Sequence, residues 1–485
     1  MNCCLIVVSD FLRGYIRCSR ANERNRMKLL PAGLLAAFLM SAGPAQAEDA
    51  AGHWKGRIAN SLSVFLQFDK AAEGRWEGTL RVPQQRLVTK VDQLVVSEDQ
   101  ISFRLLALNA GYTARWNEEA KAWVGTWSQG GQSTLLSLAR TDADAQKPKR
   151  PQEEAIATRK PAYTSSEVSF DNAPAQARLA GTFSVPQGKG PFPAVVLVHG
   201  SGPLDRAANV AEHKLFVVLA DHLNRQGIAV LRYDKRGVGK STGVYKDAST
   251  FDFAADAEAA VRFLRSRADV DTRRIGIVGH SEGGLIAPLV AARDPGLAFV
   301  VMLAAPGVRG ELLMVEQLAL GARAQGMPDE MLARERTLNR ALLAALASEP
   351  RLEAATDKAR QAMEEAERNG TLPAGTGMRR VQTFSTPWFH PFLRHEPGPV
   401  LQTVRQPVLA LNGERDFQVP AAMNLGAIRT ALKDNPRATV KELPGLNHLF
   451  QTAPTGASSE YFDIEESFAP AALALVSDWI LETVK

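Results

Sequence analysis

The sequence predicts an α/β fold: a mostly parallel sheet with helices on both faces, interrupted by a helical insertion and preceded by a small antiparallel β domain. Three observations predict it. From residue 162 onward, apolar runs of strand length alternate with amphipathic helical stretches, the pattern of parallel strands buried on both faces. About ninety residues in the middle break that alternation with an Ala-, Leu-, Glu- and Arg-rich helical composition. Residues 51–140 instead hold short runs separated by Gly, Asn, Asp and Pro, as an antiparallel sandwich or barrel does.

The β-rich domain is expected over 48–140. Ile101-Ser102-Phe103-Arg104-Leu105 alternates at period two, the mark of a half-buried strand. Runs at 63–68, 76–82 and 87–95 are further strands. Trp54, Trp76, Trp116, Trp123 and Trp127 recur here and are expected to fill the core of the small barrel. Residues 141–161 are charged and contain three prolines, so they are expected to be a linker. The α/β domain is expected over 162–485. Strands are predicted at 176–185, 194–198, 228–233, 274–278 and 299–304, with helices at 213–226, 253–267 and 282–293. The insertion, about 308–400, has helical periodicity at 331–346 and 352–366 and an irregular stretch from 371. The sheet resumes at 408–412 and 439–443, and a helix opened by Pro470 closes the chain. Such insertions lie over the carboxyl ends of the strands, where ligands bind, so a helical cap is expected.

Composition narrows the function classes. With 485 residues, 45% hydrophobic and 22% charged, the chain is an ordinary globular protein of two or three domains. Residues 1–47 carry six cations against Asp10 and Glu23, +4 of the chain's net +5. The remainder is nearly neutral, which gives no clustered basic face for nucleic acid. Met27-Lys28 opens an apolar run to Met40, and Ala45-Gln46-Ala47 fits a small-x-small cleavage site. This leader reads as a signal peptide, with Met27 as the expected true start, and the product as periplasmic or secreted. No stable membrane span is expected after cleavage. Cys3, Cys4 and Cys18 all precede Met27, so the mature chain is expected to lack disulfides, Cys nucleophiles and Cys-ligated metals.

The chemistry sits at strand ends. Gly279-His280-Ser281-Glu282-Gly283 satisfies G-x-S-x-G, between an apolar strand and a helix. There a sharp turn lifts a serine hydroxyl clear of the sheet, and glycines leave it room. Serine needs a base and an orienting acid, which in this arrangement follow in the order acid, then histidine. Asp416 comes just past the strand at 408–412, with Glu414 as its rival, and His448 lies in the loop after the strand at 439–443. Of the eight histidines, His448 alone holds that last position. His213 and His222 are expected at the surface, and His280 is not expected to reach back to its neighbour. His390, between cap and sheet, is the candidate substrate-binding residue. The backbone N–H groups of Ser201, in the glycine-rich loop after the first apolar strand, and of Glu282 are the expected oxyanion donors. No metal and no cofactor are expected. Gly237-Val238-Gly239-Lys240-Ser241 ends like a phosphate-binding loop, but Asp234 stands where that motif requires glycine. No nucleotide is expected, and residues 232–237 are read as a buried charge network beside the site.

Together HGSGPLDR, LRYDKRGVGKSTG, GHSEGG, LNGERDFQVP and GLNHLF resemble the bacterial α/β-hydrolases grouped with esterases, monoacylglycerol-lipase-like enzymes and serine aminopeptidase-like proteins. The resemblance covers about 165–485. It implies the α/β-hydrolase fold, the same roles for Ser281, Asp416, His448 and the Ser201 loop, and a small-molecule ester or short acyl substrate. The expected function is therefore an exported serine carboxylesterase. A peptidase on short peptides, with Glu364 or Glu365 anchoring the substrate amine, and a noncatalytic binding protein are the alternatives.

Overall fold

A computed structural model of the chain describes residues 50–485, apart from 59–61, 86, 130–131 and 145–146. The expected leader, Met27 and the three cysteines lie outside the described residues. The chain forms two compact units that divide between Pro148 and Lys149.

The first unit is one antiparallel sheet of nine strands: β1 Gly52–Ile58, β2 Leu62–Lys70, β3 Trp76–Val82, β4 Leu87–Lys90, β5 Asp92–Val96, β6 Gln100–Leu105, β7 Ala110–Asn117, β8 Ala122–Gln129 and β9 Gln132–Thr141. Their spatial order is β4-β3-β2-β1-β9-β8-β7-β6-β5. The sheet curls back on itself: Val91 alone separates β4 and β5, the two end strands, and β5 also lies against β3. The result is a nearly closed barrel. In β6 the expected alternation holds: Ile101, Phe103 and Leu105 are buried, while Ser102 and Arg104 are not. Trp54, Trp123 and Trp127 are buried in the barrel core, and Trp76 and Trp116 pack against it. The tryptophans therefore fill the interior. Trp54 Nε1 donates to the Ala50 carbonyl at 2.9 Å, whereas Trp123 Nε1 is buried without a hydrogen-bond partner.

The second unit is built on an eight-stranded mixed sheet. Its strands are β10 Tyr163–Asn172, β11 Ala177–Pro186, β12 Phe192–Val198, β15 Ala229–Tyr233, β16 Val270–His280, β17 Phe299–Leu303, β18 Val408–Gly413 and β19 Ala438–Leu443. A small hairpin, β13 Asn209–Val210 with β14 His213–Lys214, stands apart from it. The order is β10-β11-β15-β12-β16-β17-β18-β19. The first three strands pair antiparallel and the others parallel. The apolar runs are explained by burial on both faces: Val195 and Leu197 of β12 enter one core, and Ala194, Val196 and Val198 the other.

The helices, in chain order, begin with α1 Pro151–Thr158, α2 Leu215–Arg225, α3 Thr250–Arg265 and α4 Glu282–Arg293. The cap follows as α5 Gly310–Ala324, α6 Asp329–Ser348, α7 Leu352–Arg368, α8 Gly377–Phe384, α9 Phe389–Arg394 and α10 Pro397–Leu401. Helices α11 Ala421–Ala431 and α12 Pro470–Thr483 complete the unit. Helices α2 and α12 cover one face of the sheet, and α3, α4 and α11 the other. Helix α3 starts at Thr250, three residues earlier than expected, because Ser249 and Asp252 form a reciprocal capping box. Among the described residues, no helix is long and apolar enough to cross a membrane.

Three expectations need correction. The expected linker contains α1, with proline at its first position and Glu153 and Glu154 in its first turn, both favourable at a helix start. Strand β10 is not marked in the sequence, because most of its residues face solvent at the sheet edge and it lacks an apolar run. The irregular stretch from 371 contains three short helices, each packed by a few apolar side chains such as Val381, Phe384 and Phe392.

Candidate active site

Ser281 lies between the end of β16 and the start of α4, with φ 56° and ψ −119°. A non-glycine residue adopts this region at a cost of about 1–3 kcal/mol. Its N–H donates to the Leu303 carbonyl at 2.8 Å, and its carbonyl accepts from Gly284 at 2.8 Å. The flanking glycines are dictated by crowding. A Cβ on Gly279 would sit 1.9 Å from the Gly283 carbonyl oxygen, and one on Gly283 would sit 2.1 Å from that of Val198.

The imidazole of His448 is fixed by Asp416. Nδ1 donates to Oδ2 at 2.8 Å, and both side chains are at most 5% exposed. Asp416 Oδ1 accepts the N–H groups of Gln418 and Val419, each at 2.8 Å. Oδ1 is therefore saturated and the carboxylate oriented, with Oδ2 left for the ring. Glu414, the rival, instead accepts the N–H of Gly445 at the surface. The His448 loop is built on Asn447, whose buried side-chain oxygen accepts the N–H groups of Leu449 (2.9 Å) and Gln451 (3.0 Å). It lies hard against the end of β18, where a Cβ on Gly413 would be 2.1 Å from the Leu446 carbonyl oxygen.

Ser281, His448, Gly200, Ser201 and Gln418 line one cavity of about 20 Å³, room for roughly one water molecule. The Gly200-Ser201 loop touches the serine: a Cβ on Gly200 would lie 3.0 Å from Ser281 Cβ and 3.5 Å from its Oγ. A larger cavity of about 280 Å³, against Arg236, Asp247 and Asp252, contains none of Ser281, Asp416 and His448. Volume therefore does not select the site; the arrangement of titratable groups does. Among the described residues, no group of three or more His, Cys, Asp or Glu is placed to hold a metal ion.

The chain's match to known proteins follows this division. Residues 195–458, which hold all of these groups, match the model of the alpha/beta hydrolase family. The chain belongs to the alpha/beta hydrolase family. Esterase EstD of Thermotoga maritima is 40% identical over 140 residues, 29% of this chain and 33% of that protein. An uncharacterized protein of Mycobacterium tuberculosis is 33% identical over 124 residues, 26% of this chain and 40% of that protein. These alignments span well under half of either relative. In three dimensions an esterase of Pyrococcus furiosus, 16% identical, covers 70% of this chain and 97% of its own at a TM-score of 0.41.

Other residues of the hydrolase domain fall differently from expectation. His390 lies in α9, and its Nε2 faces the Glu349 carbonyl at 2.9 Å. It is inside the cap and does not line the Ser281 cavity. Glu364 and Glu365 are paired with Arg360 and Arg368 on the exposed face of α7. The contact His280 makes is with the loop of His448: its Nε2 donates to the His448 carbonyl at 2.8 Å, and the two rings lie 4.9 Å apart. Burial, then the neighbouring His448, pull its imidazole down to about 3. His213 is fully buried, with Nδ1 2.8 Å from Ser467 Oγ and Nε2 2.7 Å from the Tyr461 carbonyl. His222 is partly buried against Ser477.

Residues 232–237 form the expected charge network. Arg206 clasps Asp234 with Nε and Nη2 at 3.0 and 2.8 Å, and Arg236 clasps Asp256 at 2.7 and 2.8 Å. The phosphate-loop lookalike wraps its own carboxylate, since the Lys240 N–H donates to Asp234 Oδ2 at 3.0 Å. Lys235 pairs with Glu282 in the interior. That side chain of Glu282 and its partners were missed by sequence reasoning, which considered only the residue's N–H. A charge on the inner face of a helix start signals that a partner exists, but nothing in the sequence names it.

Proposed function

We propose that the protein hydrolyses carboxylic esters through an acyl-enzyme on Ser281. The observation that carries this reading is the Asp416–His448 pair, at 2.8 Å, in one cavity with a serine held on a left-handed turn. Nδ1 is engaged by the carboxylate, which leaves Nε2 for the hydroxyl. His448 accepts the Ser281 proton as Oγ bonds to the ester carbonyl carbon. Asp416 holds the ring in that tautomer and stabilises the imidazolium. The backbone N–H groups of Ser201 and Glu282 receive the oxyanion, each such donor being worth about 3 kcal/mol in the transition state. The tetrahedral intermediate collapses, His448 gives its proton to the leaving alcohol, and the acyl group stays on Oγ. Water then repeats the sequence and releases the acid.

The similarity to EstD, an esterase, supports an ester as the substrate class. The test is turnover of p-nitrophenyl acyl esters by the wild type and by Ser281→Ala. Loss on the order of 10⁶ in turnover is expected by analogy with other triads; a variant that keeps most of its activity refutes the nucleophile. Faster cleavage of aminoacyl p-nitroanilides than of esters would make the enzyme a peptidase. Failure to react with a fluorophosphonate would make it a binding protein. We further propose export, from the apolar leader that ends at Ala45-Gln46-Ala47. N-terminal sequencing of the fractionated product should begin at Glu48, and a cytoplasmic product that retains the leader rejects it.

A further inference from the structure

Glu282 has a second connection to the site besides its N–H. Its carboxylate is 1% exposed, and three donors from three elements converge on it. Lys235 Nζ, just past β15, lies 3.1 Å from Oε2. Thr250 Oγ1, at the start of α3, donates to Oε1 at 2.7 Å. Trp388 Nε1, at the entry to α9 of the cap, donates to the same oxygen at 2.6 Å. Both charged partners are sealed: Lys235 is 3% exposed, and its ammonium stands 4.2 Å from the centre of the Phe253 ring. The indole is itself fixed in the cap, stacked on Phe392 at 4.9 Å and edge-on to Phe389 at 4.6 Å.

An apolar side chain at 282 could fill this space, and it would do so without specifying direction. A buried carboxylate is tolerated only when donors meet its lone pairs, and hydrogen bonds are directional where packing is not. Glu282 is also the first residue of α4. The three bonds fix where its side chain leaves the helix, and the Cα so held is one end of the peptide that joins it to Ser281. We propose that Trp388 and Lys235 are positioning residues: through the Glu282 carboxylate they orient the Glu282 N–H toward the oxyanion, so that seating of the cap aligns the catalytic peptide. The proposal rests on the reading of Ser281 as nucleophile.

The test is kcat and KM on p-nitrophenyl acetate with Ser281→Ala alongside. Trp388→Phe keeps the aromatic packing and deletes the donor. It should lower kcat about tenfold with KM within about twofold, the equivalent of one hydrogen bond to a charged group. Lys235→Met should lower kcat further, and Lys235→Met with Glu282→Gln should recover about tenfold of that loss, because the amide no longer needs a counter-charge. A merely structural role predicts loss and recovery of stability alone, with kcat per folded enzyme at the wild-type value throughout. Unchanged kcat in Trp388→Phe, or a raised KM at constant kcat, overturns the proposal. If Phe at 388 unsettles the cap, the Lys235→Met pair of variants decides alone, and absence of recovery overturns it. An active Ser281→Ala enzyme fails the nucleophile reading instead; an inactive one beside a wild-type-like Trp388→Phe fails only the positioning.

Discussion

At the scale of single residues, the site combines strain and burial. Ser281 holds φ 56° with a Cβ attached, so Ser281→Gly should relieve backbone strain while removing the proposed nucleophile. Equilibrium denaturation should show the glycine variant about 1 kcal/mol more stable than the wild type, with ester hydrolysis abolished; a less stable variant would mean that the turn is unstrained. Three buried imidazoles add a pH dependence. Burial, the largest cause in each, pulls His199 and His280 to about 3 and His213 to about 4. In the unfolded chain a histidine titrates near 6.5. Below that value the unfolded state takes up protons that the fold refuses. Stability is therefore full above pH about 6.5 and falls as the pH drops toward 4, by up to about 1.4 kcal/mol per pH unit for each histidine. Urea midpoints at pH about 7.5, 6 and 5 measure this, and a flat profile contradicts it. Ser281, Asp416 and His448 are legible in the sequence because each follows a strand end in a loop marked by glycine or asparagine. His213 and His280 are not, since their partners, at Tyr461, Ser467 and His448, are brought close only by folding.

At the scale of elements, the loops do the presenting and the strands fix where they start. The loop of His448 turns on Asn447, which is wholly buried and satisfies two N–H groups with one oxygen while its amide meets Gln451 Oε1 at 2.9 Å. Asn447→Ala leaves those groups without partners inside the protein, each at about 1–3 kcal/mol. The expected result is a loss of about 2–4 kcal/mol in denaturation and a fall in kcat larger than any change in KM. Wild-type kcat in a destabilised Asn447→Ala enzyme would show that the loop does not depend on this turn. The parallel strands β12, β17 and β18 are readable from sequence because burial on both faces demands unbroken apolar runs. Strand β10 and the helices α8 to α10 are not. The strand is polar and at an edge, and the helices have five to eight residues each, too few turns for a period to emerge.

At the scale of the whole molecule, the least legible feature is where the hydrolase body begins. Charge and proline made 141–161 look like a spacer, yet Arg150 is 5% exposed. Its guanidinium donates to the carbonyls of Ala211, Phe462 and Ile464 at 3.0 Å each and of Glu212 at 3.3 Å. Every partner is backbone, so no side-chain pattern could announce the contact. Burial pulls this group down to about 10, which still leaves it charged at neutral pH. Gln152 and Glu153 continue the attachment, binding Phe468 and Ser467. Ser467 in turn meets His213, and His213 meets Gln451 of the His448 loop at 2.9 Å. The residues just before the hydrolase sheet thus brace the segment that follows the proposed base. Arg150→Ala removes the donor that these carbonyls share, and it should cost about 2–4 kcal/mol, as loss of hydrogen bonds to a buried charged group does. Arg150→Lys keeps the charge without the planar fork and should recover less than half of that. Denaturation midpoints and kcat, measured on the full chain, distinguish the two possible roles of this segment. A true spacer predicts wild-type stability in both variants. A brace predicts that stability and kcat fall together, because the chain from 451 to 468 loses its outer anchor while Asp416 and His448 are untouched.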